Sequence, residues 1–262
     1  MITGGMSLTN RPAMTIIQKA IGILRKYGTN AHIFIPGVGT LSGITAGNYL
    51  DSAGTTAASV DNPVGLVVDP FGSVNATQAT TSAKPILRLN SGKYSWQFDG
   101  SNDSLSLSAP LFQMSDDHCV IAGVNTLHTN DYILNFGSGA ASQHIAALYM
   151  SGSVLAAAWV DDAATVASVS ESSASLGVSK VACAVKIGNA KRLRVNGVQQ
   201  GATNNTVLGV TTVSTGFIGG FKSGSLPFSG SLYPVIAIKG TVTDSDLLTL
   251  ERFVGQLSGV SI

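Results

Sequence analysis

The stretch SWQFDGSNDSLSL, residues 95–107, decides how the chain is read. Tyr94, Trp96 and Phe98 alternate with Ser95, Gln97 and Asp99. Strand side chains point to opposite faces in turn, so this is a strand with one apolar face. Gly100, Ser101 and Asn102 form a turn cluster, and Leu105 and Leu107 then resume the apolar face. The simplest arrangement is a hairpin with a one-sided core face.

The period of two continues outward. Candidate strands fall at 94–99, 104–108, 119–125, 132–136, 145–150, 154–160, 165–170, 180–187, 192–196, 206–210, 216–221 and 230–239. Short strands at regular spacing, with Gly and Asn between them, are the mark of a sandwich or barrel. Asn196-Gly197 between Val195 and Val198 is the strongest short hairpin signal in the chain.

The ends differ. Asn10 and Pro12 suit a helix start. Met14, Ile17, Ile21 and Leu24 then recur at helical spacing, and Gly28 is a natural stop. This stripe packs either on the chain's own body or on a partner, and its four residues are the candidate docking face. Residues 29–60 are rich in Gly and Thr and read as an extended arm. At the other end Thr243 caps a run with Leu247, Leu250, Phe253, Val254 and Leu257 at helical spacing, before Gly259. The expected organisation is an N-terminal helix and arm over 1–50, serving as an anchor, and a sandwich over 51–262. The expected fold is all-β: a two-sheet antiparallel jelly-roll sandwich with an N-terminal helix and a short C-terminal one.

Charged residues are 11% of the 262, against roughly 25% in soluble domains. Such a weakly charged surface suits a protein packed among others. The net charge is +1, and the first 50 residues carry Arg11, Lys19, Arg25 and Lys26 with no acid. That is too few clustered cations to argue for nucleic acid. No apolar run reaches the roughly 18 residues of a membrane span, and the N-terminus lacks a signal-peptide pattern. Cys119 and Cys183 sit in apolar runs and read as buried free thiols.

FDGSNDSLSL at 98–107 resembles the motif that opens laminin-G-like domains of the concanavalin A-like lectin and glucanase superfamily. Later segments agree in order. KRLRVNGV at 191–198 is similar to that family's strand and Asn-Gly hairpin. IGG at 218–220 and FSGSLYPVIAIK at 228–239 are similar to its closing strands, and TDSDLLTLERFVGQLSGV at 243–260 to its terminal helix. A narrower likeness joins DSAGTT at 51–56, DNPVGLVVD at 61–69, ATQAT at 76–80 and AKPILR at 83–88 to a leader found before this domain in tailed-bacteriophage and prophage proteins. That resemblance implies a virion component made in the host cytoplasm.

The residues argue against hydrolysis. The superfamily's glucanases use paired glutamates, whereas this chain has only Glu171 and Glu251, in different segments. Asp116-Asp117 and Asp161-Asp162 are adjacent pairs, which point apart on a strand. Asp99, Asn102 and Asp103 have the oxygens of a calcium site at the sandwich rim, such as some family members hold, and equally those of an Asx turn. His118, Cys119, His128, Asp131 and His144 show no metal-ligand spacing. Trp159 beside Asp161 and Asp162 is the local candidate for a glycan platform, with a core tryptophan as the alternative. Lys180, Lys186, Lys191, Arg192 and Arg194 form a basic run, read as one sheet face or a solvated one.

The expectation is therefore a non-enzymatic virion protein: a capsid decoration protein, head fibre or tail-attached adhesin. Its partners would be other capsid or tail proteins and copies of itself, a trimer by analogy. The alternatives are a receptor binder whose main function is a host-surface glycan contact and, last, a polysaccharide hydrolase.

Overall fold

A computed structural model describes residues 14–72, 74–137, 144–210, 214–221 and 226–262. Two antiparallel sheets face each other. In the first, the spatial order is Val198–Asn204, Ala190–Val195, Lys180–Ile187, His118–Thr126, Ser229–Lys239, Lys93–Asp99 and Ile86–Asn90. Ala31–Phe34 adds to the far half of Ser229–Lys239. In the second, the order is Val166–Ser170, Val154–Val160, His144–Ser151, Tyr132–Gly137, Thr215–Ile218, Leu105–Leu107, Ala76–Thr77, Leu66–Val68 and Gly47–Tyr49. The fold is a β-sandwich, as the alternation predicts.

The core between the sheets is built from the residues the period of two selects, among them Trp96, Phe98, Leu105, Leu107, Val120, Leu148, Trp159, Leu193 and Ala237. A second core lies on the outer face of the first sheet. There Ile121, Cys183, Val185 and Ile236 meet α1 (Ile16–Tyr27) and α2 (Asp244–Ser258). Both cysteines are free and buried in this layer. Burial pushes the Cys119 thiol up to about 12.

Both helices end where expected, at Gly28 and Gly259. Thr243 accepts from the Asp246 N–H, as a capping threonine should. The start of α1 differs. Thr15 caps it in a reciprocal box with Gln18, while Asn10 and Pro12 lie outside the described residues. Asn196 and Gly197 both have positive φ, 49° and 81°, in the two-residue turn joining Val195 to Val198.

Three expectations need correction. First, residues 95–107 are not a hairpin. Lys93–Asp99 pairs with Ser229–Lys239 in the first sheet, whereas Leu105–Leu107 pairs with Thr215–Ile218 and Ala76–Thr77 in the second. The turn carries the chain across the core, so both apolar faces look at each other. Gly219 closes this corner: its φ is +85°, and any Cβ would run into the Phe98 ring.

Second, residues 29–50 are not a separate arm. Ala31–Phe34 and Gly47–Tyr49 are strands of the two sheets. Asn48 is buried, its amide donates to the Ile35 and Gly37 carbonyls, and its Oδ1 accepts from the Trp96 indole N–H at 2.7 Å. His32 contacts Asp69 at 2.7 Å in a buried pair. Ala31–Phe34 is buried along its whole length and Gly47–Tyr49 is three residues long, so neither carries an alternation to read. Third, the segment 206–210 forms no strand, and Val198–Asn204 takes the edge position instead.

Candidate functional site

The site is built on one row of the first sheet. Lys191 lies opposite Lys186, Lys186 opposite His118, and His118 opposite Lys239. Two residues further along the four strands, Leu193, Ala184, Val120 and Ala237 belong to the core between the sheets. Period two therefore aims the whole row inward, at the end of the sandwich where the core opens.

A cavity of about 510 Å³ lies over this row, lined by Gln113, Met114 and Ser115, by Lys186, Gly188, Asn189 and Lys191, and by Leu208, Gly209 and Val210. That volume is within the usual range for small-molecule sites. Lys191 is fully buried, and its ammonium donates to the carbonyls of Asn189 at 3.1 Å and Thr206 at 2.6 Å. Lys186 is 6% exposed and donates to the Asp116 carbonyl at 3.2 Å. Neither lysine forms an ion pair among the described residues. Burial lowers both pKa values, and for Lys191 the charge of Lys186 adds to the effect.

The carboxylates nearby hold the rim loops. Asp116 pairs with Lys239 at 3.1 Å and accepts from the Gln113 N–H. Asp117 accepts from the Gly188 N–H and the Thr241 hydroxyl, which hold its pKa down. Beneath the mouth a chain of hydrogen bonds joins the two sheets. The Trp159 indole N–H points at His118 Nε2 at 3.1 Å, and His118 Nδ1 sits 3.0 Å from the Asp116 carbonyl. His118 is therefore the neutral tautomer with its proton on Nδ1. Burial pushes its pKa down to about 3.

Trp159 is fully buried and is no exposed platform. The candidate glycan trio instead supports the mouth from behind. Asp161 accepts from the Gly209 and Thr165 N–H groups, which lower its pKa, and the Asp162 N–H donates to the Val210 carbonyl. The apolar run before Trp159 is a strand whose inner face is core, so the tryptophan takes the core alternative.

Asp99, Asn102 and Asp103 form a turn. Asp99 accepts from the Ser101 and Asn102 N–H groups, and Asp103 from the Asp99 N–H. Asp103 is buried, and desolvation raises its pKa to about 6. Among the described residues no three His, Cys, Asp or Glu side chains gather as a metal site. The docking stripe is divided as well. Ile21 and Leu24 are buried in the helix-side core, Ile17 packs partly against it, and Met14 is exposed. Ile21 and Leu24 are thus spent within the chain.

Both glutamates are structural. Glu171 accepts from the Leu155 N–H and the Ser175 hydroxyl and pairs with Lys180 at 2.8 Å. Glu251, on α2, takes two hydrogen bonds from Arg194, each 2.9 Å. The basic run is therefore split by strand alternation. Arg192 and Arg194 face outward to the acids of α2, while Lys186 and Lys191 face inward. The inward pair was missed because the run looked like a single face. The signal was present: within Lys191-Arg192-Leu193-Arg194-Val195, Leu193 and Val195 mark the inner face and place Lys191 with them.

No family model matches the chain, and no curated protein matches it. Solved structures do resemble it. Trypanosoma rangeli sialidase in complex with sialic acid is similar with a TM-score of 0.58 at 14% identity, over 86% of this chain and 32% of the sialidase. The botulinum neurotoxin serotype G binding domain is similar with a TM-score of 0.51 at 10% identity, over 71% of this chain and 48% of that one. The receptor binding domain of botulinum neurotoxin mosaic serotype C/D gives 0.53 at 12%, over 71% and 48%. The chain spans about a third to a half of the length of these three structures. At these identities the likeness is one of fold: the chain is an antiparallel β-sandwich.

Proposed function

We propose that this chain is a non-enzymatic recognition module that holds a glycan in the mouth at the end of its sandwich. One observation carries the reading: a cavity of about 510 Å³ lined by Gln113, Ser115, Lys186, Asn189 and Lys191 together with Met114, Leu208 and Val210, the mix of polar groups and apolar surface that a sugar's hydroxyls and ring faces require. The engagement of both glutamates in structural pairs supports binding over hydrolysis. The test is retention of the purified chain on a panel of immobilised host-surface polysaccharides. Selective retention is expected; none on any member would overturn the reading.

A second layer of the proposal is its setting, a tailed-phage virion, as a decoration protein, head fibre or tail-attached adhesin. This rests on the leader-like segments at 51–56, 61–69, 76–80 and 83–88. Assembly with itself or with capsid or tail proteins belongs to the same reading, and exposed Val198, Val207 and Val210 offer apolar surface for it. An antibody against the sandwich, imaged on intact particles, reads the setting. Label on the head points to decoration, label on the tail to host recognition, and bare particles would sink the virion reading.

A further inference from the structure

We infer that Lys186 and Lys191 form an anion subsite, so that the ligand of the mouth is an acidic saccharide bearing a carboxylate, sulfate or phosphate group. The inference deepens the glycan reading and rests on it for the saccharide half alone.

The two lysines are directly opposite on neighbouring strands, on the same inward face. Like charges in that relation repel, and burial makes each charge costly unless it is paired. An ammonium has three protons to give. Lys191 gives two and Lys186 gives one, all to backbone carbonyls. That leaves two donors on Lys186 and one on the fully buried Lys191, both residues among those that line a cavity large enough for a sugar. The outer face of the same hairpin shows how the fold neutralises cations when only structure is at stake: Arg192 and Arg194 each meet a carboxylate. The inner pair makes no ion pair among the described residues: the Asp116 and Asp117 carboxylates favour the charged form of Lys186 from beyond contact distance, and Lys191 feels chiefly the like charge of Lys186. An incoming anion supplies the direct partner, between two point charges that carbonyl bonds hold in place. The side chains of Asn189, Gln113 and Ser115 on the same walls make no hydrogen bond within the described structure and remain for the neutral hydroxyls of the ligand.

The loops that roof the cavity are fixed to the strands. Asp161 holds Gly209, and Asp117 holds Gly188. The amides of Gly188 and Gly209 are therefore reporters of occupancy that a distant event would leave still.

The experiment is an NMR titration of the full chain, following those amides, with glucuronate, inorganic phosphate and sulfate as probes and glucose as the neutral control. Glucuronate and at least one inorganic anion should shift both amides, with weaker or no effect from glucose. Lys191→Met and Lys186→Met should each weaken glucuronate binding at least tenfold, with Lys191→Arg retaining part of it. If a variant disturbs the fold, lysine side-chain resonances of the wild-type chain give the same answer, because the anion should shift those of Lys186 and Lys191 above the other lysines. Equal binding of glucuronate by wild type and both methionine variants would overturn the anion subsite, as would anions that leave both amides and both lysines unmoved. Polysaccharide retention that survives both substitutions would overturn the subsite while sparing the glycan reading. Lysine-dependent binding of inorganic anions without any polysaccharide retention would do the reverse.

Discussion

Two pairs of cations on one hairpin are held in different ways. On the outer face Arg194 gives two hydrogen bonds to fully buried Glu251, and Arg192 meets Asp244 at 3.0 Å. On the inner face Lys180 pairs with Glu171, whereas Lys186 and Lys191 stand opposite each other at the cavity and give their hydrogen bonds to backbone carbonyls. Lys191 and Arg192 are adjacent on one strand, so neither local sequence nor propensity separates them. What separates them is the neighbour. The outer face carries α2, which binds the hairpin to the body through its acids. The inner face carries a cavity. Arg192 and Arg194 come with their counter-charges, and Lys186 and Lys191 are held by carbonyls beside the cavity.

The largest effect should come from breaking the outer pair. Glu251→Ala leaves the Arg194 guanidinium buried without its carboxylate and should cost about 3–5 kcal/mol in urea unfolding. Replacing both partners by apolar residues of similar volume should recover most of that loss. If Glu251→Ala proves nearly neutral, the outer pair does not secure the fold and the contrast fails on that side.

A second test moves to a buried polar group with a full set of partners. Asn48→Ala should cost about 2 kcal/mol, since it strands the Trp96 indole N–H and the Ile35 and Gly37 carbonyls. A loss of that size would also establish that the N-terminal strands fold with the sandwich. A change within error would return them to the status of an arm.

Asp103 sharpens the contrast from the acidic side. It is a buried carboxyl with one backbone donor and no cation among the described residues. Its pKa is raised to about 6 by desolvation, so the folded chain holds the proton more tightly than the unfolded chain. Stability from this group is full below about pH 4 and is lost as pH rises through about 6. Asp103→Asn keeps an acceptor for the Asp99 N–H and cannot ionise. It should remove a decline on the order of 1–2 kcal/mol, seen as a flatter curve of unfolding free energy against pH between about 4 and 6. His118 gives the opposite slope below about pH 6.5, because its depressed pKa makes unfolding take up a proton. The comparison must therefore be made variant against wild type.

These contrasts also mark what the sequence could disclose. Alternation from residue 94 onward named the core faces, because burial on one side of a strand imposes a period of two whatever the strand's partner. It could not say which sheet a strand joins. Trp96, Phe98, Leu105 and Leu107 all face one core, and a hairpin and a crossover bury them equally well. Pairing is decided by contacts distant in sequence, such as Phe217 with Ser106 and Leu232 with Trp96. The strands Ala31–Phe34 and Gly47–Tyr49 were illegible for another reason: one is buried on both faces and the other is three residues long. The site was half legible. Trp159 and Asp161 belong to its frame, but the lysines that face the cavity were hidden in a basic run whose alternate members go to opposite layers.

The most direct test of the contrast is the unfolding free energy of Lys186→Met and Lys191→Met, measured beside Glu251→Ala. The account predicts that both lysine variants lose clearly less than Glu251→Ala, about 1–2 kcal/mol for the carbonyls they release, because neither lysine belongs to an ion pair among the described residues. A loss of about 3–5 kcal/mol, equal to that of breaking the outer pair, would contradict it and make the inner lysines part of the scaffold.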